Sequence, residues 1–343
     1  MTARWLRVIA TIAVVAAIAA LIYADRHELP AAGRALRHAD RAWLTAGVLV
    51  LLVWTANWVL LHLAARKVTG AGGYREFARL LPVTVASLAL NLAVKSGNLA
   101  GLAAFSADAR RRGGGGRVTG AYLAAAQTAE VAFVVTLAAG MAVVCWDGKI
   151  ERAEIAAVVL FAAGLLSRVV ALVAAVRSRE VLRRVWVWPG RTLDRLLRRP
   201  PRQRDTAQAD DFYDAVAAIR AHPWSAVPAV CFGVLVDLLG ATVLWASLAA
   251  VGAGDRPLVA LVAYAVSTLF GIVGVLPGGL GFVEFGATAV LASYDVPVGV
   301  AAAAVLVFRV FVFWLPLAVG GLLAWRLRAS PGQRNRLRGA AHG

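Results

Sequence analysis

The feature that most constrains this chain is a series of apolar runs long enough to cross a lipid bilayer. A helix needs about 20 predominantly apolar residues to span the hydrocarbon core. We take six runs as spanning helices: 8–23, 42–64, 118–145, 155–176, 224–251 and 298–325. No run alternates in polarity like the strand of a membrane barrel. The sequence therefore predicts an all-α polytopic membrane protein, folded as a single transmembrane domain over residues 1–343.

The positive charge of the chain is concentrated in its loops. The net charge is +17, and the basic segments cover residues 66–79, 110–117, 177–204 and 326–343. Lysine and arginine favour the cytoplasmic side of a membrane, so we expect these segments and both termini there. The expected location is the inner (plasma) membrane of a bacterium. The expected partners are anionic membrane lipids rather than nucleic acid.

Segment 177–204 is the longest basic stretch, and its arginines are interleaved with tryptophan, valine and leucine. This mixture is typical of helices that lie in the membrane interface on anionic headgroups. The alternative is a solvated basic loop. The tryptophan and leucine content favours the interfacial helices.

A further apolar run, 80–107, is broken at its middle by Lys95-Ser96-Gly97-Asn98. Its arms, about 15 and about 10 residues long, are too short for a core that needs about 20. Both flanks are basic and are therefore expected on the cytoplasmic side. We predict a re-entrant helical hairpin, the first hairpin, with Lys95 and Asn98 at its tip.

Run 258–294 is broken at Pro277 and predicts a second hairpin. Three glycines accompany the break: Gly278, Gly279 and Gly281. Non-helical backbone at membrane depth is tolerated only where protein or a wet cavity satisfies it, and the charge of Glu284 is costly there unless paired or used. We predict a binding or gating element that enters from the outer face. A full helical hairpin and a solvent-side turn remain alternatives.

The chain contains two units of similar plan, 42–145 and 224–325. Each consists of a span, a hairpin and another span, and under the predicted topology the units cross the membrane in opposite senses. A weak local similarity aligns Glu130 with Arg309. Inverted repeats whose broken helices meet at the midplane are a recurrent plan of transporters.

Five ionisable side chains lie within apolar segments: Lys95, Glu130, Asp237, Glu284 and Arg309. Glu130 lies 13 residues beyond Arg117, which is about 20 Å along a helix. Arg309 lies 14 residues beyond Asp295, which is about 21 Å from the opposite side. We therefore predict a buried Glu130–Arg309 pair, with a structural or a functional role. Asp237 either joins this pair or acts separately as a proton-linked group.

The hairpin tips suit an anion, because the second arm of each hairpin starts there with exposed amides and a positive dipole end. Lys95 and Asn98 add a positive charge and an amide at the first tip, so a lipid phosphate is a suitable ligand for the tips. Glu284 either meets a cationic part of the same headgroup or caps its own helix. The sequence contains no evident nucleophile–base pair, metal-ligand cluster or nucleotide loop. We therefore expect no catalytic residue, metal or cofactor.

Two stretches resemble a known family. The first comprises Asn91, Gly97 and Gly101, then Arg110-Arg111-Arg112-Gly113. The second is Leu276-Pro277-Gly278-Gly279-Leu280-Gly281-Phe282-Val283-Glu284, followed by Tyr294-Asp295-Val296-Pro297 and by Arg309 in an apolar helix. Together they resemble the flippase-like transmembrane region of lysylphosphatidylglycerol synthases and their stand-alone relatives. Many family members have a proline and a glutamate around the first glycine, and residues 95–101 have neither.

The resemblance implies translocation of a phospholipid or of an aminoacylated or other lipid-linked headgroup. Family members that synthesise the lipid carry a soluble aminoacyltransferase domain after the membrane region. Since the chain ends 18 residues past Trp325, we do not expect synthesis. Two alternatives remain: a membrane-embedded enzyme acting on lipid-linked substrates, or a scaffold for a separate lipid-modifying enzyme.

The predicted topology can be tested by cysteine labelling with a membrane-impermeant maleimide, after both native cysteines are replaced by serine. Gly114→Cys and Gly190→Cys should be labelled only from the cytoplasm, because arginines surround both positions. Ala253→Cys, in the turn after run 224–251, should be labelled only from outside. External labelling at position 114 would exclude the first hairpin as a re-entrant element.

Overall fold

The computed structural model of the chain describes residues 37–94, 98–110, 116–147, 223–273 and 277–328, with a few separate residues between 166 and 221. The regular structure of this part is helical, and it contains no strand. Five of its helices are long and apolar enough to cross a membrane: Arg41–Val68, Tyr74–Ala93, Arg117–Val143, Trp224–Ala250 and Val298–Ala324. The prediction of an all-helical polytopic membrane protein is confirmed.

Several predicted elements lie outside the described residues. They are the spans at 8–23 and 155–176, the tail from 329, and Lys95 at the first tip. Most of basic segment 177–204 lies outside them as well. The four other predicted spans, 42–64, 118–145, 224–251 and 298–325, are helical where the structure describes them.

The helices are numbered along the described chain. They are α1 (Arg41–Val68), α2 (Phe77–Ala93), α3 (Leu99–Arg110), α4 (Gly116–Asp147), α5 (Val227–Ala250), α6 (Pro257–Val273), α7 (Phe282–Ser293), α8 (Val298–Arg309) and α9 (Leu315–Arg328). Short 3₁₀ turns precede α2 and α5, at Tyr74–Glu76 and Pro223–Ala226. A third, Pro277–Gly279, lies between α6 and α7, and a π-helical segment, Val310–Trp314, joins α8 to α9.

Both predicted hairpins are broken where the sequence indicated. The first hairpin consists of α2 and α3, and the second consists of α6, the 3₁₀ turn and α7. The first arm is longer than we predicted, because α2 with its preceding 3₁₀ turn covers 20 residues, Tyr74–Ala93. Length alone therefore does not distinguish a re-entrant arm from a spanning one here, and re-entry stays a prediction.

Helices α1 and α5, the first helices of the two units, run antiparallel. Asp40 N donates to Ala250 O (2.8 Å), and Trp54 Nε1 donates to Val236 O (3.0 Å). Asn57 Nδ2 then donates to Phe232 O (2.9 Å), so the partner number falls as the α1 number rises. Equivalent helices that run antiparallel are what an inverted repeat requires.

The remaining contacts follow the same two-unit plan. In each unit the two hairpin arms pack on each other and the first helix packs on the last. The first arm of each hairpin also packs on the last span of the other unit: α2 on α9, and α6 on α4. Glycine permits the close approach of α2 to α9, since a Cβ at Gly320 would lie 2.2 Å from Val85 O, whereas one at Gly140 would make an ordinary contact, 3.4 Å from Ala265 Cβ.

An ion-pair network joins the open end of the first hairpin to the end of α1. Glu76 Oε2 accepts from Arg66 Nη2 (3.1 Å) and from Arg79 Nη1 (2.8 Å). Arg79 Nη2 donates to Asp108 Oδ2 (2.7 Å) at the end of α3. Because these charges link three helix ends, they fix the base of the hairpin while its tip reaches into the bundle.

Two described arginines of basic segment 177–204 bind protein carboxylates. Arg183 Nε donates to Asp210 Oδ1 (2.9 Å), and Arg179 donates to Asp214. The hydrogen bond from Arg183 lowers the pKa of the Asp210 carboxyl below its ordinary value. Part of the positive charge that we expected to face anionic lipid is therefore engaged within the protein.

The packing of α2 on α9 gives a prediction with a matched control. Gly320→Ala should lower the thermal midpoint, because its Cβ meets the backbone of α2 and overpacking of this kind costs about 1–3 kcal/mol. Gly321→Ala should leave the midpoint unchanged, since a Cβ there meets nothing within 4 Å. The measurement is thermal unfolding of detergent-solubilised protein, followed by size-exclusion chromatography. Equal midpoints for the two variants would contradict the α2–α9 contact.

Candidate functional site

A cavity of about 430 Å³ lies between the tips of the two hairpins, within the range of about 300–1,000 Å³ usual for ligand pockets. Its walls are mostly apolar, with a few polar groups: Asn91, Asn98, Glu130, Asp237, Tyr264 and Arg309. Gly278 and Gly279 line it as well. The cavity thus unites most of the predicted site residues.

Arg309 closes the break of the second hairpin. Its Nη2 donates to Gly278 O (3.0 Å) and its Nε to Glu284 Oε1 (2.7 Å). The second oxygen, Oε2 of Glu284, accepts from Gly281 N (2.8 Å) at the start of α7. The guanidinium also lies over the Phe313 ring, at 4.3 Å. One buried arginine thereby satisfies a carbonyl freed by the break and holds the carboxylate that caps α7.

This geometry corrects our predicted ion pair. Arg309 pairs with Glu284, and the described structure contains no ion pair between Arg309 and Glu130. We estimated depth from the number of residues along continuous spans. Glu284 follows a helix break, so its depth depends on the position of the second hairpin and could not be estimated in this way. The side chains of Arg309 and Glu284 are 6% and 17% exposed. We predicted two alternative roles for Glu284, and the structure has it as the cap of its own helix, α7.

The glycines of the second tip allow close packing and an unusual backbone conformation. A Cβ at Gly278 would lie 2.0 Å from the Phe313 ring, and one at Gly279 would lie 2.8 Å from Gly271 Cα. Both have positive φ, +60° and +66°. Glycine is therefore required there for close packing and a left-handed backbone. Gly281 differs, since its φ of +81° alone requires glycine.

The break of the first hairpin is satisfied by polar side chains. Tyr122 Oη of α4 donates to Asn98 O (2.9 Å), and Asn98 has a left-handed φ of +69°. Asn91 Nδ2 donates to Tyr122 Oη (3.0 Å), and Gly101 N donates to Asn91 Oδ1 (2.6 Å). A Cβ at Gly101 would lie 2.3 Å from Ser87 Oγ, so glycine keeps the arms close. Sequence reasoning missed Tyr122, because an uncharged phenol in a span gives no charge signal.

In each unit, the last span sends a side chain to the tip of its own hairpin. Glu130 Oε1 accepts from Asn98 Nδ2 (3.1 Å), and Arg309 contacts the Gly278 carbonyl. Glu130 and Arg309 are the two residues that the weak alignment of the units placed opposite each other. They thus hold equivalent positions in the two units without forming a pair.

Asp237 occupies a separate wall of the cavity. Tyr264 Oη donates to its Oδ1 (3.2 Å) and Thr136 Oγ1 donates to its Oδ2 (3.3 Å). Gly240, three residues along α5, makes room, since a Cβ there would lie 2.5 Å from the Tyr264 ring. No ion pair of Asp237 occurs in the described part of the chain. Of our two alternatives for Asp237, membership of the Arg309 pair is therefore wrong.

An aromatic wall on α1 was not predicted from the sequence. Trp54, Trp58 and His62 repeat every four residues and line the cavity. The His62 ring stacks on Tyr122, with ring centroids 5.3 Å apart and planes inclined by 8°. The signal was the four-residue spacing, which places the three rings on one helix face. Among the described residues there is no group of three His, Cys, Asp or Glu side chains able to hold a metal ion.

Comparison with known proteins identifies the family. The family model described as "Lysylphosphatidylglycerol synthase TM region" matches residues 8–320, which is most of the chain. No curated protein matches the chain. The chain belongs to this family, as the two sequence stretches indicated.

The Arg309–Glu284 contact predicts coupled mutational effects. Arg309→Gln and Glu284→Gln should each destabilise the protein strongly, because breaking a buried pair costs about 3–5 kcal/mol. The double variant should lose less than the sum of the two losses. The matched control is Arg309→Gln combined with Glu130→Gln, whose losses should add, since these residues do not pair. Thermal midpoints in detergent provide the measurement, and additive losses for the first double variant would contradict the contact.

Proposed function

We propose that this member of the lysylphosphatidylglycerol synthase TM-region family translocates lipids between the two leaflets of the membrane. The observation that supports this most is the meeting of two helix breaks, from antiparallel units, at one cavity lined by Glu130, Asp237 and Arg309. Charges at membrane depth are rare and usually serve transport or recognition. Broken helices that meet at a central site are a recurrent feature of transporters.

In this proposal the cavity binds only the headgroup of the lipid. A volume of about 430 Å³ suits a headgroup, and the acyl chains would remain in the surrounding bilayer. A phosphate would bind Arg309 in competition with Glu284 and the Gly278 carbonyl. Glu130 and Asp237 favour an amine. A phospholipid whose headgroup carries both groups, such as an aminoacylated one, matches this distribution best.

The two hairpins would act as gates on opposite sides. In this proposal both hairpins are re-entrant, the first from the cytoplasm and the second from outside, in the inner membrane of a bacterium with both chain termini inside. Glu130 would hold the first tip and Arg309 the second. Release of one tip at a time would open the cavity to one leaflet at a time. The proposed activity is transport of the lipid, not its synthesis, and a separate lipid-modifying enzyme is a proposed partner.

Translocation can be measured in proteoliposomes that contain acyl-labelled phosphatidylglycerol, phosphatidylethanolamine or an aminoacylated phosphatidylglycerol. An impermeant reductant quenches label in the outer leaflet, so the slow phase reports transbilayer movement. The wild-type protein should accelerate this phase above that of protein-free vesicles, most strongly for the amine-bearing lipids. Acceleration for none of these lipids would overturn the proposal.

Two variants test the cavity itself. Glu130→Gln removes a cavity charge, and Asn98→Gly removes the tip amide while tolerating the positive φ. Each should slow translocation at least tenfold, which corresponds to about 1.4 kcal/mol on the barrier. The control is Asp255→Asn, in the exposed turn before α6, which should translocate at the wild-type rate. Equal rates for all three variants would place the pathway elsewhere in the protein.

A further inference from the structure

Asp237 on the cavity wall and Glu284 behind the second tip are two carboxylates whose surroundings differ in kind. Glu284 binds a guanidinium, that of Arg309, and a backbone amide, that of Gly281. Asp237 lies on the wall, buried, and binds two hydroxyls, those of Tyr264 and Thr136. A cation stabilises one charge state only, whereas a hydroxyl group can donate or accept a hydrogen bond.

The hydroxyl partners therefore satisfy Asp237 in either protonation state. When the carboxylate is ionised, both hydroxyls donate to it, which is the arrangement in this structure. When it is protonated, its own O–H donates to one of these oxygens, and that hydroxyl redirects its proton to another acceptor. Thr268, one turn along α6 from Tyr264 and also on the cavity wall, is suitably placed to receive it.

We propose that Asp237 is a proton-binding site whose occupancy controls how the second hairpin docks on α4 and α5. The two hydrogen bonds join three elements: Asp237 belongs to α5, Tyr264 to the first arm of the second hairpin and Thr136 to α4. Proton uptake from cavity water converts the carboxylate and a hydronium ion into a carboxylic acid and water. The hydrogen bonds of Asp237 then no longer involve an ionised acceptor, and the contact between the second hairpin and α5 weakens.

The charged groups around Asp237 favour such exchange. From α8, Arg309 lines the same cavity, but Glu284 of α7 offsets its charge, so Arg309 does not hold Asp237 ionised. From α4, Glu130 lines the same cavity as a second carboxyl group. From α1, His62 lines the cavity as a further titratable group. Tyr264 of α6 completes the set, and it contributes a hydroxyl rather than a charge at neutral pH.

The link between proton binding and lipid movement rests on the proposed function, whereas proton binding itself does not. If both hold, protonation of Asp237 releases the second hairpin and ionisation redocks it. Lipid translocation is then coupled to proton movement across the membrane. The energy source would be the proton gradient.

Proton binding is tested first, without any lipid assay. Infrared difference spectra of the reconstituted full chain, recorded during a pH titration, should contain a C=O band of a protonated carboxyl group. Asp237→Asn should abolish the band, and the exposed control Asp255→Asn should retain it. Absence of the band from the wild-type protein, or its persistence in Asp237→Asn, would overturn the proposal.

Two conservative variants keep the test decisive if Asp237→Asn does not fold. Tyr264→Phe and Thr136→Val each remove one hydroxyl from Asp237. At least one of them should raise the frequency of the band, because the acid C=O loses a hydrogen-bond donor. An unchanged frequency in both variants would assign the band to another carboxyl group and overturn the proposal.

Coupling is tested second, in vesicles with an entrapped pH indicator and an imposed pH gradient. The wild-type protein should translocate lipid faster with the gradient than without it, and Asp237→Asn should be insensitive to it. A response to a sodium gradient instead would reassign the carboxylate and hydroxyls as a sodium site. If the band titrates but no lipid moves, the proton-binding site is supported and the proposed lipid translocation is contradicted. If lipid moves but no band titrates, lipid translocation is supported and the proton-binding site is contradicted.

Discussion

The structure depends on one constraint: backbone groups freed by a helix break inside a membrane must be satisfied by the protein itself. At the second tip Arg309 meets this need, since it binds the Gly278 carbonyl while its pair, Glu284, caps α7. At the first tip Tyr122 binds the Asn98 carbonyl and is held by Asn91. Each closing side chain comes from the span that follows its hairpin, so hairpin and span form one unit.

The way in which the breaks are closed also creates the cavity. Each hairpin packs its first arm on the last span of the other unit, and the antiparallel helices α1 and α5 bring the two tips toward each other. The groups that close the breaks therefore line the space between them. In the proposed function, a headgroup that enters this space would compete with the hairpins for Glu130 and Arg309, so that stability and gating would be linked at this site.

The buried charges divide into two classes by the nature of their partners. Arg309 and Glu284 neutralise each other, and the removal of either leaves a charge that the interior cannot solvate. Asp237 instead binds hydroxyls from two other helices, which can adapt to a change of charge. The first class fixes the shape of the second hairpin, and in our proposal the second class makes its position depend on proton binding.

The sequence by itself determined the helical membrane class, the four described spans, the position of both breaks and the family, because apolar length and loop charge are local properties of the chain. It also predicted the two-unit plan and the equivalence of Glu130 and Arg309. Only the tertiary structure decided that Arg309 binds Glu284, that Tyr122 closes the first break, and that the tip glycines pack closely against Phe313 and Gly271. The physical reason is that these contacts join side chains on different elements. The distances between these side chains depend on where each hairpin lies and on which helix it packs against. The spacing of residues along the chain determines neither of these.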